Sequence, residues 1–96
     1  MRIIIVGGGE IGYALSRALS SDHELSVVDL DPDVADRFDG LDVRSLTGSG
    51  TSLADLEQAG IGECDRFIAC TGLDEVNIVA CALAKEHGAT ETICFV

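Results

Sequence analysis

Apolar positions along the chain alternate between short continuous runs and helical stripes. Residues 2–6 (Arg-Ile-Ile-Ile-Val) form a β-branched run, the pattern of a strand buried on both faces. Gly7, Gly8 and Gly9 break it. Ile11, Ala14, Leu15, Ala18 and Leu19 then recur at helical spacing and predict an amphipathic helix with that face on the core. Ser20-Ser21-Asp22 ends this helix, and residues 24–29 (Glu-Leu-Ser-Val-Val-Asp) predict a second strand. Asp31 as N-cap and Pro32 in the first turn open a short helix that carries Val34, Ala35 and Phe38 and stops at Gly40. A third strand over 42–46 leads into a small-residue loop, Thr47 to Ser52, and a helix over 53–59 closed by Gly60. The fourth strand covers 66–70 and is followed by Thr71-Gly72-Leu73-Asp74, with Asp74 as the expected N-cap of the next helix. Val76, Val79, Ala80, Leu83 and Ala84 predict the core face of that helix, which ends near Gly88. Ile78, Cys81 and Ala82 give it a second apolar side, to be covered by self-association or by a further strand and helix. Residues 92–96 predict a fifth strand.

Strict alternation of strand and helix with short connections implies parallel strands with helices on both faces. Right-handed crossovers make the simplest arrangement a Rossmann-like, doubly wound α/β sheet of five strands ordered 3-2-1-4-5. The 96 residues suit one domain. Because the fifth strand runs out at the end of the chain, 1–96 is expected to be a fragment of a longer protein.

Composition narrows the function. There are 17 acidic and 6 basic side chains, a formal net charge of −11. Nucleic-acid binding is excluded as an expectation, because it needs Lys and Arg to neutralise phosphates. No apolar run is long enough to span a bilayer, and the N-terminus lacks a signal-peptide layout. Lys85 is the only lysine and ten of the acids are Asp. Such a surface suits solubility at high salt, where screening removes self-repulsion, so a halophilic source is one reading and an ordinary acidic domain the other. Cys64, Cys70, Cys81 and Cys94 have no C-x-x-C spacing and form no metal-site spacing with His23 or His87. No metal site is expected; the thiols read as structural and the compartment as reducing and cytoplasmic.

The chemistry sits in Gly7-Gly8-Gly9-Glu10-Ile11-Gly12, which fits G-x-G-x-x-G with a strand before it and a helix after it. Gly7 allows the tight turn, Gly9 lets a pyrophosphate approach the backbone, and Gly12 lets the helix pack close. The helix start offers free N–H groups and a positive dipole end to phosphates. Asp29 lies 20 residues beyond Gly9, at the end of the second strand, where a carboxylate accepts hydrogen bonds from ribose hydroxyls and repels a 2′-phosphate. NAD(H) is therefore preferred over NADP(H). Ser49 and Thr51 in the second loop either reach an adenine or ribose, or merely turn the chain and cap a helix. Thr71 and Gly72, across the switch point, are expected to border either the nicotinamide half or the pyrophosphate. No catalytic constellation is evident: His23 and His87 fall at the far end of the sheet, and no Lys or Tyr is placed at the crevice. Tyr13 is expected to face away from the apolar stripe.

The start Arg2 to Gly12, the strand end Val27-Val28-Asp29-Leu30-Asp31, the stretch Gly48-Ser49-Gly50-Thr51 on to Gly60-Ile61, and Cys64 to Thr71 followed by Asp74-Glu75-Val76-Asn77 together resemble the TrkA N-terminal domain, also called the RCK or KTN domain. The resemblance implies a regulatory domain, not an enzyme, that binds NAD(H) or an adenine nucleotide such as ATP, ADP or AMP. It implies a homodimer or larger ring, cytoplasmic and peripheral to the inner face of the cell membrane. The implied output is potassium flux through a membrane transporter or channel subunit. By position, Gly7, Gly9, Glu10, Ile11 and Gly12 would hold phosphates, Asp29 the adenosine ribose, Ser49 and Gly50 would border the adenine, and Thr71 and Gly72 the middle of the ligand, with Leu30 counted among the cofactor-binding residues. Many relatives carry Asp at the position of Ser49. The other reading of the same motif is the cofactor-binding half of an NAD-dependent dehydrogenase.

Overall fold

The computed structural model describes all 96 residues. Five strands, β1 (Arg2–Val6), β2 (Glu24–Asp29), β3 (Val43–Thr47), β4 (Arg66–Ala69) and β5 (Glu91–Cys94), form one sheet in the order β3-β2-β1-β4-β5. Every neighbouring pair is parallel. The helices are α1 (Glu10–Leu19), α2 (Val34–Arg37), α3 (Leu53–Gln58) and α4 (Asp74–His87). The Rossmann-like α/β order expected from the alternation is therefore the observed one.

The β-branched run of β1 explains its central place. Ile3 and Ile5 face one side with Leu25, Val27 and Ile68, beneath Val34 and Phe38 of the α2 region and Leu15 and Leu19 of α1. Ile4 and Val6 face the other side with Val28, Phe67 and Ala69, beneath Leu56 of α3 and Ala80, Cys81 and Ala84 of α4. A strand clothed on both faces needs apolar residues at every position, which removes the period-two alternation.

Several boundaries and faces differ from the sequence reading. Asp33, not Asp31, directly precedes α2; Asp31 instead accepts the Asp33 N–H with its carboxylate. Leu73 occupies the N-cap of α4, and Asp74 is its first residue with no capping bond. β5 begins at Glu91 and ends at Cys94 rather than covering 92–96.

The largest differences concern the helix faces. In α1 the fully buried positions are Gly12 and Ser16, while Ile11, Ala14 and Ala18 of the expected core face are exposed. In α4 they are Asn77, Ala80, Cys81 and Ala84, while Val79 is exposed. The innermost positions of both helices are small or are hydrogen-bonded polar residues rather than large apolar ones. Ser16 is tolerated because its hydroxyl donates to the Gly12 carbonyl at 2.8 Å. Tyr13 does not point away: its ring meets Phe38 edge-on, centroids 5.3 Å apart. Cys64, Cys70 and Cys81 are buried free thiols, but Cys94 is exposed.

Candidate functional site

The carboxyl ends of β1, β2, β3 and β4 open onto one cleft, at the point where the chain order reverses around β1. The cleft holds about 290 Å³ and is lined by Val6, Asp29, Leu30, Ser49, Gly50, Thr71 and neighbours. Leu30 and Leu73 stand at its rim with largely exposed side chains, 72% and 56%. On the α1 side of the glycine turn, Gly8, Gly9, Glu10, Tyr13 and Arg37 line a second recess of about 300 Å³. The structure thus brings Asp29, Leu30, Ser49, Gly50 and Thr71 into one cleft and Gly9 and Glu10 beside it. Gly7, Ile11, Gly12 and Gly72 line neither space.

Each glycine of the motif has a separate physical reason. Gly7 turns the chain at φ +114°, in the region that side chains rarely adopt. A Cβ on Gly12 would lie 1.8 Å from the Gly7 carbonyl oxygen, so α1 sits directly against the turn. A Cβ on Gly9 would meet nothing within 4 Å; its bare backbone faces open space. The N–H groups of Gly9, Glu10, Ile11 and Gly12 find no acceptor in the chain. Four free donors at the positive end of a ten-residue helix favour an anion there.

Asp29 is held rigidly. One carboxylate oxygen accepts the Gly8 N–H at 2.7 Å and the other the Asp31 N–H at 2.8 Å. The acid at the end of β2 therefore clamps the glycine turn to β2, a role that its place in the motif did not reveal. Each oxygen keeps a further lone pair for a hydroxyl donor. Burial, reinforced by the Asp29 charge, pushes the nearby Cys70 thiol up to about 11, so it stays protonated.

Across the cleft, Ser49 and Thr51 bond hydroxyl to hydroxyl at 2.8 Å, and Ser49 N–H donates to Asp55 at 2.9 Å. Ser52 is the residue that caps α3, accepting from Asp55 N–H at 3.3 Å. Ser49 and Thr51 are thereby free of capping duty and remain at the cleft wall.

Arg37 was not singled out in the sequence. Its Nη2 donates to the Gly8 carbonyl at 2.6 Å, which places a guanidinium over the glycine turn. The other basic residues lie elsewhere. Arg2 pairs with Glu24 and Glu63, Arg44 donates to Gln58, Lys85 donates to Thr90, Arg17 lies in the last turn of α1 and Arg66 begins β4. Arg37 is the single cationic side chain at the carboxyl end of the sheet. The opposite end carries a recess of about 600 Å³ lined by the N-terminus, Arg2 and His23 together with Asp22, Glu24, Asp42, Glu63 and Asp65, so carboxylates outnumber the cations there.

A match to the TrkA-N domain covers residues 3–96. The chain belongs to the TrkA-N domain family. It is 38% identical over 93 residues to a protein of Archaeoglobus fulgidus named Trk system potassium uptake protein TrkA homolog, covering 97% of this chain and 21% of that protein. It is 40% identical over 94 residues to Trk system potassium uptake protein TrkA of Halomonas elongata, covering 96% of this chain and 21% of that protein. The TrkA-N chain thus spans about a fifth of the length of these relatives. Among solved structures it resembles a Kef C-terminal domain of Shewanella denitrificans described as AMP-bound. The TM-score is 0.80 and the identity 23%, over 97% of this chain and 57% of the other, a likeness of fold. No helix is long and apolar enough to cross a membrane.

Proposed function

We propose that this TrkA-N domain is a regulatory nucleotide-binding domain, not an enzyme, and that occupancy of its cleft controls potassium transport through a membrane partner. The ligand is NAD(H) or an adenine mononucleotide. The observation that carries the reading is the open glycine turn: four unpartnered N–H groups beside Arg37, with the clamped Asp29 carboxylate next to them. This pairs a phosphate cradle with a ribose-hydroxyl acceptor, and puts a negative charge where a 2′-phosphate would sit. The rim leucines Leu30 and Leu73 provide apolar surface for a base. Potassium-uptake relatives and an AMP-bound structural neighbour point the same way.

The roles fall residue by residue. Gly9, Glu10, Ile11 and Gly12 hold phosphate through backbone N–H groups, with Gly7 setting the turn. Asp29, beside Leu30, takes the ribose; Ser49 and Gly50 border the adenine, and Thr71 and Gly72 the middle of the ligand. The domain is part of a longer protein, works in the cytoplasm at the inner membrane face, and assembles as a homodimer or larger ring. Exposed Ile78 and Val79 on α4 offer apolar surface for that assembly.

Thermal shift against NAD, NADH, NADP, NADPH, ATP, ADP and AMP tests the reading. A ligand that binds only the folded chain raises its melting temperature. NAD(H) or an adenine nucleotide is expected to win over NADP(H), with Asp29→Ala reducing the shift. A larger shift with NADP(H) would overturn the assignment of Asp29.

A further inference from the structure

Asn77 is 1% exposed, on the first turns of α4, and its side-chain amide is completely used. Oδ1 accepts the Thr71 N–H at 2.9 Å and the Thr71 hydroxyl at 2.7 Å. Nδ2 donates to the Thr71 carbonyl at 3.1 Å and to the Phe95 carbonyl at 2.9 Å. Two acceptor bonds and two donor bonds exhaust the amide and fix its orientation, since a flip would set donor against donor and acceptor against acceptor.

The register shows what this amide replaces. β5 follows β4 in parallel, with Glu91 N–H donating to Asp65 and Phe95 N–H to the Ala69 carbonyl. In a parallel ladder a residue that bonds to residue 69 of its neighbour bonds next to residue 71. The following rung would therefore run from Thr71 N–H to the Phe95 carbonyl. Instead both groups bond to Asn77, one to its oxygen and one to its nitrogen. The side chain stands in the rung as an extra peptide group and holds β4 and β5 apart where the cleft begins.

We propose that Asn77 is a positioning residue that sets Thr71 in the nucleotide cleft and couples its position to the end of β5. The coupling rests on the nucleotide reading given above. Thr71 lines the cleft, and Phe95 is where the chain leaves the sheet. A ligand that moves Thr71 must move the amide, and with it the Phe95 carbonyl, because no bond of the amide can be dropped without leaving a buried polar group unpaired. One helical turn further on, the Cys81 thiol lies 3.5 Å from the Ile93 carbonyl, so the same face of α4 holds β5 at a second point.

The test is backbone and side-chain amide NMR on this chain. In the free domain the Asn77 side-chain protons are expected to exchange slowly; fast exchange overturns the wedge itself. With AMP or NADH, the Thr71 amide and the Phe95 and Val96 amides should shift along one binding curve. Asn77→Ala should weaken binding about tenfold and leave Phe95 and Val96 unresponsive while Thr71 still shifts. Asn77→Asp, nearly isosteric, should also uncouple them, and acidification should restore the coupling in part, because a protonated carboxyl can again donate to the Phe95 carbonyl. Wild-type coupling in both variants refutes the relay. If no nucleotide shifts any amide of the unaltered chain, the nucleotide reading and the coupling fail together, while slow Asn77 exchange still decides the wedge.

Discussion

Replacing Gly12 and Gly9 separates the architecture of the glycine turn from its ligand role. A methyl at Gly12 would lie 1.8 Å from the Gly7 oxygen and 2.9 Å from its carbonyl carbon. An ordinary carbon–oxygen contact is about 3.3 Å, so α1 must retreat by roughly 1.5 Å. The obstacle is backbone, which cannot rotate away, so Gly12→Ala belongs at the upper end of the overpacking range, about 3 kcal/mol. For a domain of this size that lowers the melting temperature by roughly 12–24 °C. Gly9→Val meets nothing within 4 Å of its Cβ, and Gly9 has φ −77° and ψ −158°, an extended conformation open to any residue. Its apo melting temperature should stay within about 3 °C of wild type. Saturating nucleotide at a hundredfold its Kd adds about 2.7 kcal/mol to the wild type. That gain should vanish in Gly9→Val, because the side chain fills the space over the free N–H groups. Calorimetric melts with and without NADH and AMP read both effects. A Gly12→Ala protein as stable as wild type would refute the packing argument. A Gly9→Val protein with an undiminished ligand shift would refute the placement of the phosphate.

Three further outcomes follow from the charges and thiols. Arg37→Gln removes the guanidinium over the glycine turn and should weaken nucleotide binding about tenfold, with a flatter salt dependence by titration calorimetry and an apo stability change under about 1 kcal/mol. Burial raises the thiols of Cys70 and Cys81 to about 11 from a reference of 9.0. The folded state therefore holds these protons more tightly than the unfolded state. Their contribution is intact below pH 9 and is lost as pH rises through about 11. Urea melts should show that alkaline loss, and a Cys70→Ala, Cys81→Ala double variant should flatten it. A net charge of −11 on 96 residues predicts a rise in melting temperature from low salt to molar KCl; no rise would remove the case for a high-salt protein.

The order of elements was legible because it rests on local patterns. The β-branched run of β1 announces a strand covered on both faces, and right-handed crossovers leave little choice for the strand order. The turn at Gly7, the close packing at Gly12 and the open backbone at Gly9 were legible too, since G-x-G-x-x-G constrains each of them through backbone geometry. The glycine turn and the acid ending β2 were readable as neighbours for the same reason, and the Gly8–Asp29 hydrogen bond joins them.

Helical spacing put Leu15, Leu19, Ala80, Leu83 and Ala84 on the core, where they pack, but tertiary structure decided the rest of each helix face. Counting apolar residues put Ile11, Ala14 and Ala18 of α1 on the core, yet Gly12 and Ser16 are the ones buried there. How closely a helix approaches a sheet is a property of the pair, and close approach selects small residues over greasy ones. Likewise the clamp of Asp29 on Gly8, the reach of Arg37 across 29 residues to the same turn, and the wedge of Asn77 between β4 and β5 join elements distant in sequence. A polar residue within an apolar helix shows in the sequence. The partners that make its burial possible exist only once β4, α4 and β5 have come together, and hydrogen-bond satisfaction then fixes where its amide must sit.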